Sequence, residues 1–350
     1  MQKRIIVADS HTMGEPTRVV IGGLPHIPGK DMVEKRMYLD EHLDDVRTGI
    51  MFEPRGHNDM FGSIITAPTH PEAHLGIIFM DGGGYLNMCG HGTIGAVTVA
   101  LELGIIKAEG PEMEVVLESP AGLVRCRAVL EGDKVTGVSF ANVPAFLYRQ
   151  DASVSLPRRI VKENLPDYTP AGAGDTVEIN LDIAFGGNFF AIVPAEAYGI
   201  SLSPDNASRL INLGMSIKDA VNQQLEVGHP ELAHINTVDL VEFSRKTGEG
   251  DNAYKNVVIF GLGSLDRSPC GTGTCAKMAG LHQRGKLAVG ETFIHDSILD
   301  TRFYGKILST TKVKDIPAVI PEITGAAYIT GINELILDDR DPLNKGFRLK

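Results

Sequence analysis

At 350 residues, with 43% hydrophobic and 22% charged side chains, the chain is long enough for two lobes, each with its own core. A formal net charge of −11, without a Lys/Arg block, argues against nucleic acid and against an anionic membrane as partners. Asp9 comes before any apolar stretch of signal-peptide length and no transmembrane span is evident, so a cytoplasmic protein with reduced thiols is expected.

In chain order, RIIVAD, RVVIGG, GSIIT, GIIFM and MEVVLES read as strands. Residues 31–50 and 203–225 read as helices. The mixture points to an α+β or α/β protein of two lobes. Residues 151–175 are rich in Pro, Gly and Asp and form the best linker candidate. The expected division is a first lobe of residues 1–160 plus 325–350, and a second of 161–324.

An internal repeat carries more information. Residues 76–106 and 257–287 both run strand, glycine-containing loop, Cys-Gly-X-Gly-Thr, helix, then glycine. Fifteen positions separate Cys89 from Gly104, and the same number separate Cys270 from Gly285. Both glycines fall where a helix C-cap is expected. A weaker echo pairs GEPTRVVIGG, from Gly14, with GGNFFAIVPA, from Gly186.

Each Cys-Gly-X-Gly-Thr turn opens a helix. Its glycines, Gly90, Gly92, Gly271 and Gly273, allow a tight turn and close approach to a ligand. The first amides of a helix have no intrahelical partner, and their partial positive charge suits a carboxylate. The same field favours thiolate over thiol. The helix after Cys89 is apolar on most faces, as a buried helix is. Two such helices, one per lobe, can aim their sulfurs at one carbon from opposite sides. Inverting a stereocentre beside a carboxylate requires such a pair: one base removes the α-proton and an acid returns one on the other face. No cofactor or metal is needed in principle. His91 and Asp266 add polar groups beside the two cysteines, Asp266 as partner for a substrate ammonium. The plainer alternatives are a loop-bracing His91 and a structural Asp266.

Cys126 and Cys275 read as inert buried thiols. His70 and His74 are spaced like a metal pair, but Pro71 and the missing HExxH glutamate count against it.

The segments Asn87 to Gly95 (NMCGHGTIG) and Asp266 to Ala279 (DRSPCGTGTCAKMA) closely resemble the two signatures of the proline racemase family. That family includes proline racemases, 4-hydroxyproline 2-epimerases and trans-3-hydroxyproline dehydratases. The likeness extends through EPRGHNDMFG, AFGGNFFAIV, YKNVVIFG, GETFIHDSIL and AYITGIN, nearly the whole chain. It implies an α+β fold of two pseudo-symmetric lobes, the one shared with diaminopimelate epimerase. Each lobe is there a curved sheet or barrel around a central helix, with the active site in the interlobe cleft. It implies Cys89 and Cys270 as catalytic residues, substrate contacts from Gly90, His91, Asp266, Gly271 and Thr272, no cofactor, and a homodimer. The dehydratase branch carries Thr at the second cysteine position, so Cys270 favours racemisation or epimerisation. Phe61 and Phe260 stand at what look like the ring-lining positions of proline racemases. Proline is therefore the expected substrate, ahead of 4-hydroxyproline, with trans-3-hydroxyproline dehydration as the remaining alternative.

Overall fold

The computed structural model describes residues 2–170, 172 and 174–349. Ala171 and Ala173, inside the expected linker, lie outside the described residues. The first stretch of chain runs β1 (Gln2–Thr12), β2 (Glu15–Pro16), β3 (Arg18–Gly22), α1 (Met32–His42), α2 (Asp44–Met51), β4 (Phe61–Thr66), β5 (Leu75–Asp81), β6 (Tyr85–Leu86), α3 (Gly90–Glu102), β7 (Glu112–Ser119), β8 (Gly122–Glu131) and β9 (Lys134–Ala141). The next runs β10 (Phe146–Pro157), α4 (Arg158–Asn164), β11 (Thr176–Phe185), β12 (Phe189–Pro194), α5 (Ala207–Gln224), β13 (Leu240–Lys246), β14 (Ala253–Phe260) and β15 (Ser264–Asp266). It ends with α6 (Gly271–Gln283), β16 (Thr292–Asp296), β17 (Arg302–Val313), β18 (Ile316–Gly325) and β19 (Ala327–Asp338).

Contacts divide the chain into two compact units, residues 1–140 with 324–350, and residues 141–323. Both are α+β. The Pro- and Gly-rich residues 151–175 belong to the second unit, where they form part of β10 and the whole of α4.

In the first unit β1 is central. It pairs antiparallel with β19 from Gln2↔Asp338 to Thr12↔Ala327, and on its other edge with β3. β3 continues in parallel to β4, and β4 antiparallel to β5. Ile5, Val7, Val20, Ile64, Ile78 and Leu337 form a core against the helical residues Leu39, Val46 and Ile50. The single helix expected over 31–50 is two. Asp31 caps α1 by accepting the Glu34 N–H, and Leu43 (φ −132°, ψ 16°) breaks the run before Asp44. All of α3 from Gly92 to Leu101 is buried, as its unbroken apolar sequence requires.

In the second unit β10, β11 and β12 pair antiparallel, β12 pairs in parallel with β13, and β13 antiparallel with β14. On the edge opposite β13, β14 turns back into β15 and pairs in parallel with β16. Phe185, Phe189, Phe243, Ile217 and Val257 sit in its large core. A smaller apolar cluster joins Phe190, Ile192, Val258 and Ala276 to Cys270.

The two echoed segments meet the two helices. In the first unit, Thr17 packs so closely on Gly95 of α3 that a Cβ there would lie 2.6 Å from the Thr17 hydroxyl oxygen. In the second, a Cβ on Gly186 would lie 2.1 Å from the Thr272 carbonyl oxygen, so only glycine lets this turn abut α6.

Candidate functional site: two thiols at helix starts

Cys89 is the N-cap of α3, in ordinary extended conformation (φ −151°, ψ 131°). Its sulfur accepts the Gly92 N–H at 3.4 Å. Thr93, the threonine of the motif, donates its hydroxyl to the Cys89 carbonyl at 2.7 Å, reinforcing the first helical hydrogen bond. The His91 ring turns back on the thiol, with Nδ1 3.3 Å and Nε2 3.7 Å from the sulfur. Its backbone is held from β1, where the Thr12 hydroxyl donates to the His91 carbonyl at 2.8 Å. The Phe61 ring meets the His91 ring edge-on at 4.3 Å. Phe61, Cys89, Gly90 and His91 thus form one local group, and Cys89 is half-buried.

Cys270 heads α6 as Cys89 heads α3, but without a side-chain cap and in a different backbone conformation. Thr274 again donates to the cysteine carbonyl, at 2.7 Å. Cys270 itself has φ +59° and ψ 108°, a region that costs a non-glycine residue about 1–3 kcal/mol. The preceding turn holds it there. The Asp266 carboxylate accepts the Ser268 N–H at 2.8 Å, the Ser268 hydroxyl accepts the Cys270 N–H at 3.1 Å, and Asn256 donates to the Pro269 carbonyl at 2.8 Å. The Thr272 hydroxyl is 3.8 Å from the sulfur. Asp266, Cys270, Gly271 and Thr272 are therefore together. Phe260, half-buried, ends β14 opposite Ser264 and shares a strand face with Val258, which packs in the Cys270 cluster.

The motif glycines serve close approach, not the positive φ that a tight turn requires. A Cβ on Gly92 would lie 2.9 Å from the Phe61 and Phe79 rings. One on Gly273 would lie 2.8 Å from Glu242 Oε2 and 3.3 Å from the Cys270 sulfur. Positive φ appears instead at the terminating glycines, Gly104 (+69°) and Gly285 (+67°), as their C-cap positions require.

The lowering of thiol pKa expected from a helix start does not prevail at Cys270. Burial pushes this thiol well above its ordinary value, the Asp266 and Glu242 carboxyls push the same way, and the Gly273 N–H and Thr272 hydroxyl oppose them only in part. Cys126 and Cys275 are also buried, each pushed up to about 12, as inert thiols are. His74, half of the candidate metal pair, uses Nδ1 to accept the Val116 N–H. Among the described residues no helix is long and apolar enough to cross a membrane.

Glu242, Asn256 and His295 stand behind Cys270 and were not singled out from sequence. The only trace is an acid inside an apolar strand, Leu-Val-Glu-Phe, at residues 240–243.

The sequence matches the family described as "Proline racemase" over residues 7–348. It is 53% identical over 348 residues to a proline racemase of Clostridioides difficile, covering 99% of each chain. It is 40% identical to a 4-hydroxyproline 2-epimerase of Streptosporangium roseum, again over 99% of each. A crystal structure of a hydroxyproline epimerase from Agrobacterium vitis, with bound trans-4-hydroxy-L-proline, superimposes with a TM-score of 0.83 at 32% identity, covering 99% of this chain and 96% of that one. The chain belongs to the proline racemase family.

Proposed function

We propose that the chain interconverts L- and D-proline without a cofactor, with Cys89 and Cys270 as the paired base and acid. A thiolate on one cysteine takes the α-proton and becomes a thiol. The electron pair left on carbon spreads into the carboxylate. The other cysteine then gives its S–H proton to the opposite face and becomes the thiolate. Atoms balance, and the enzyme is left with its two protonation states exchanged, ready for the reverse reaction. Burial favours the protonated form of Cys270.

The observation that carries the reading is the duplicated helix start, a cysteine with a threonine bracing its carbonyl in each unit. The free amides at each start favour the charge that builds on a carboxylate. Gly90, His91, Gly271 and Thr272 are assigned to the substrate, Asp266 to its ammonium, and Phe61 and Phe260 to its ring. Neither ring offers a hydroxyl a partner. An apolar pocket rejects an added hydroxyl only by about a hundredfold, so some turnover of hydroxyproline is compatible with this assignment. The proposal extends to a homodimer acting in the cytoplasm.

Chiral chromatography of the wild type on L-proline, D-proline and trans-4-hydroxy-L-proline tests it. Proline should be turned over fastest, and Cys89→Ser and Cys270→Ser should each reduce racemisation by about a thousandfold or more. Faster epimerisation of hydroxyproline would replace the substrate. Undiminished racemisation in either serine variant would remove the mechanism.

A further inference from the structure

Behind Cys270 lies a group of polar side chains that the two-thiol reaction does not use. Glu242 and Ser244 project from β13, Asn256 from β14, Thr274 from α6 and His295 from β16, and all are buried. Both Glu242 oxygens, Ser244 Oγ, Asn256 Oδ1 and His295 Nε2 make no hydrogen bond of good geometry among the described residues. Asn256 and Ser244 lie near enough to Glu242 to act on it by hydrogen bonding, so these atoms form a loosely bonded polar cluster buried among apolar strands.

The cluster is connected to the cysteine. His295 Nε2 stands 3.7 Å from Glu242 Oε1. On the other side of the ring, Nδ1 stands 2.9 Å from the Thr274 hydroxyl, which lies 2.7 Å from the Cys270 carbonyl. A hydroxyl has one hydrogen, so the chain has two consistent proton arrangements. With Glu242 neutral, the Nδ1–H form of the ring donates to Thr274, and Thr274 donates to the Cys270 carbonyl. With Glu242 ionised, its charge 3.7 Å from Nε2 favours the Nε2–H form of the ring, and Thr274 turns its hydrogen to Nδ1, releasing that carbonyl. The Glu242 carboxyl and the Cys270 sulfur both flank Gly273, and the carboxylate charge acts on the thiol through space.

We propose that Glu242 is a positioning residue for Cys270, acting through His295 and Thr274: the neutral carboxyl holds the turn and leaves the sulfur free to ionise, while the carboxylate keeps it a thiol. This rests on the reading of Cys270 as a reactive thiol. The surrounding charges are consistent with a change of state near neutrality. Burial raises Glu242 to about 8 against the attraction of Lys277 on α6, with smaller opposition from Asn256 and Ser244. Lys277 in turn faces Asp182 on β11, Glu196 after β12, and Arg284 at the end of α6. Apart from Glu242, the charge facing Cys270 is Asp266 on β15.

Site-resolved alkylation by iodoacetamide, read by peptide mass, measures the Cys270 thiolate without reference to turnover. Glu242→Gln, shaped like the neutral acid, should raise the Cys270 rate about tenfold at about pH 9.5, where the native carboxyl is ionised, and leave it unchanged at about pH 6.5. A rise of equal size at both pH values, or none, overturns the proposal. Should that variant not fold, the infrared spectrum of the wild type decides: a protonated carboxyl band present at about pH 6.5 and lost by about pH 9.5 supports it, and no such band at the lower pH overturns it. If the alkylation result holds while the wild type fails to racemise proline, the relay is supported and the proposed function fails.

Discussion

His91 Nδ1 lies 3.3 Å from the Cys89 sulfur, although the two residues are only two apart and sit at the start of a buried helix. Such a ring is placed from both sides, by Thr12 on its carbonyl and by Phe61 on its edge. With the Gly92 N–H, it is a polar group in contact with the half-buried thiol, at a position suited to stabilising sulfur in either protonation state. His91→Ala should lower kcat for proline racemisation by about 10–100-fold while moving the thermal midpoint little. A loss of stability with kcat intact would make His91 a brace for the loop and nothing more. Chiral assay and thermal denaturation of the same preparation separate the two.

Much of this local group was legible because it is local. Cysteine and glycine at fixed offsets encode a helix start and a close approach within five residues, and duplication marks them as a unit, whereas the threonine brace shows only in the structure. The terminating glycines were legible for the same reason. The break at Leu43 was not, because nothing in a leucine marks a helix boundary and the helical pattern continues past it. Nor was the cluster behind Cys270, whose members come from four elements and meet only through sheet pairing and the packing of α6. The pKa of Cys270 escaped for a related reason: a helix start is visible in sequence, and the depth at which it is buried is not.

The motif glycines make opposite demands that mutation can separate. Alanine is the better helix former by about 1 kcal/mol, so Gly→Ala in a helix normally stabilises. At Gly92 and Gly273 the added methyl strikes rings or a carboxylate at under 3 Å. Both Gly92→Ala and Gly273→Ala should therefore destabilise by about 1–3 kcal/mol in denaturant titration. Gly104 and Gly285 face open space but hold positive φ. Alanine there should cost about 1 kcal/mol, and asparagine, which tolerates this conformation, should recover part of it. A stabilising Gly273→Ala would mean that the Glu242 carboxyl is not held against Gly273.

Glu242 and His295 also set how stability responds to pH. The folded state raises Glu242 from its ordinary 4.5 to about 8, chiefly by burial. Its folded form thus retains a proton that the unfolded chain has lost, so this contribution is complete below about pH 4.5 and drains away as pH rises toward 8. His295 is depressed well below 6.5 by burial and by Lys277, so its contribution is present above that value and is lost as pH falls. The cluster therefore favours the window in which both groups are neutral. Glu242→Gln keeps the neutral shape and removes the first dependence. Relative to wild type, its unfolding free energy should gain about 1–3 kcal/mol between about pH 4.5 and about pH 8.5. Guanidinium titrations at intervals across that range measure it. A difference that stays flat with pH would show that Glu242 ionises in the folded protein as it does in water, and the buried carboxyl would then have no neutral state from which to act on Cys270.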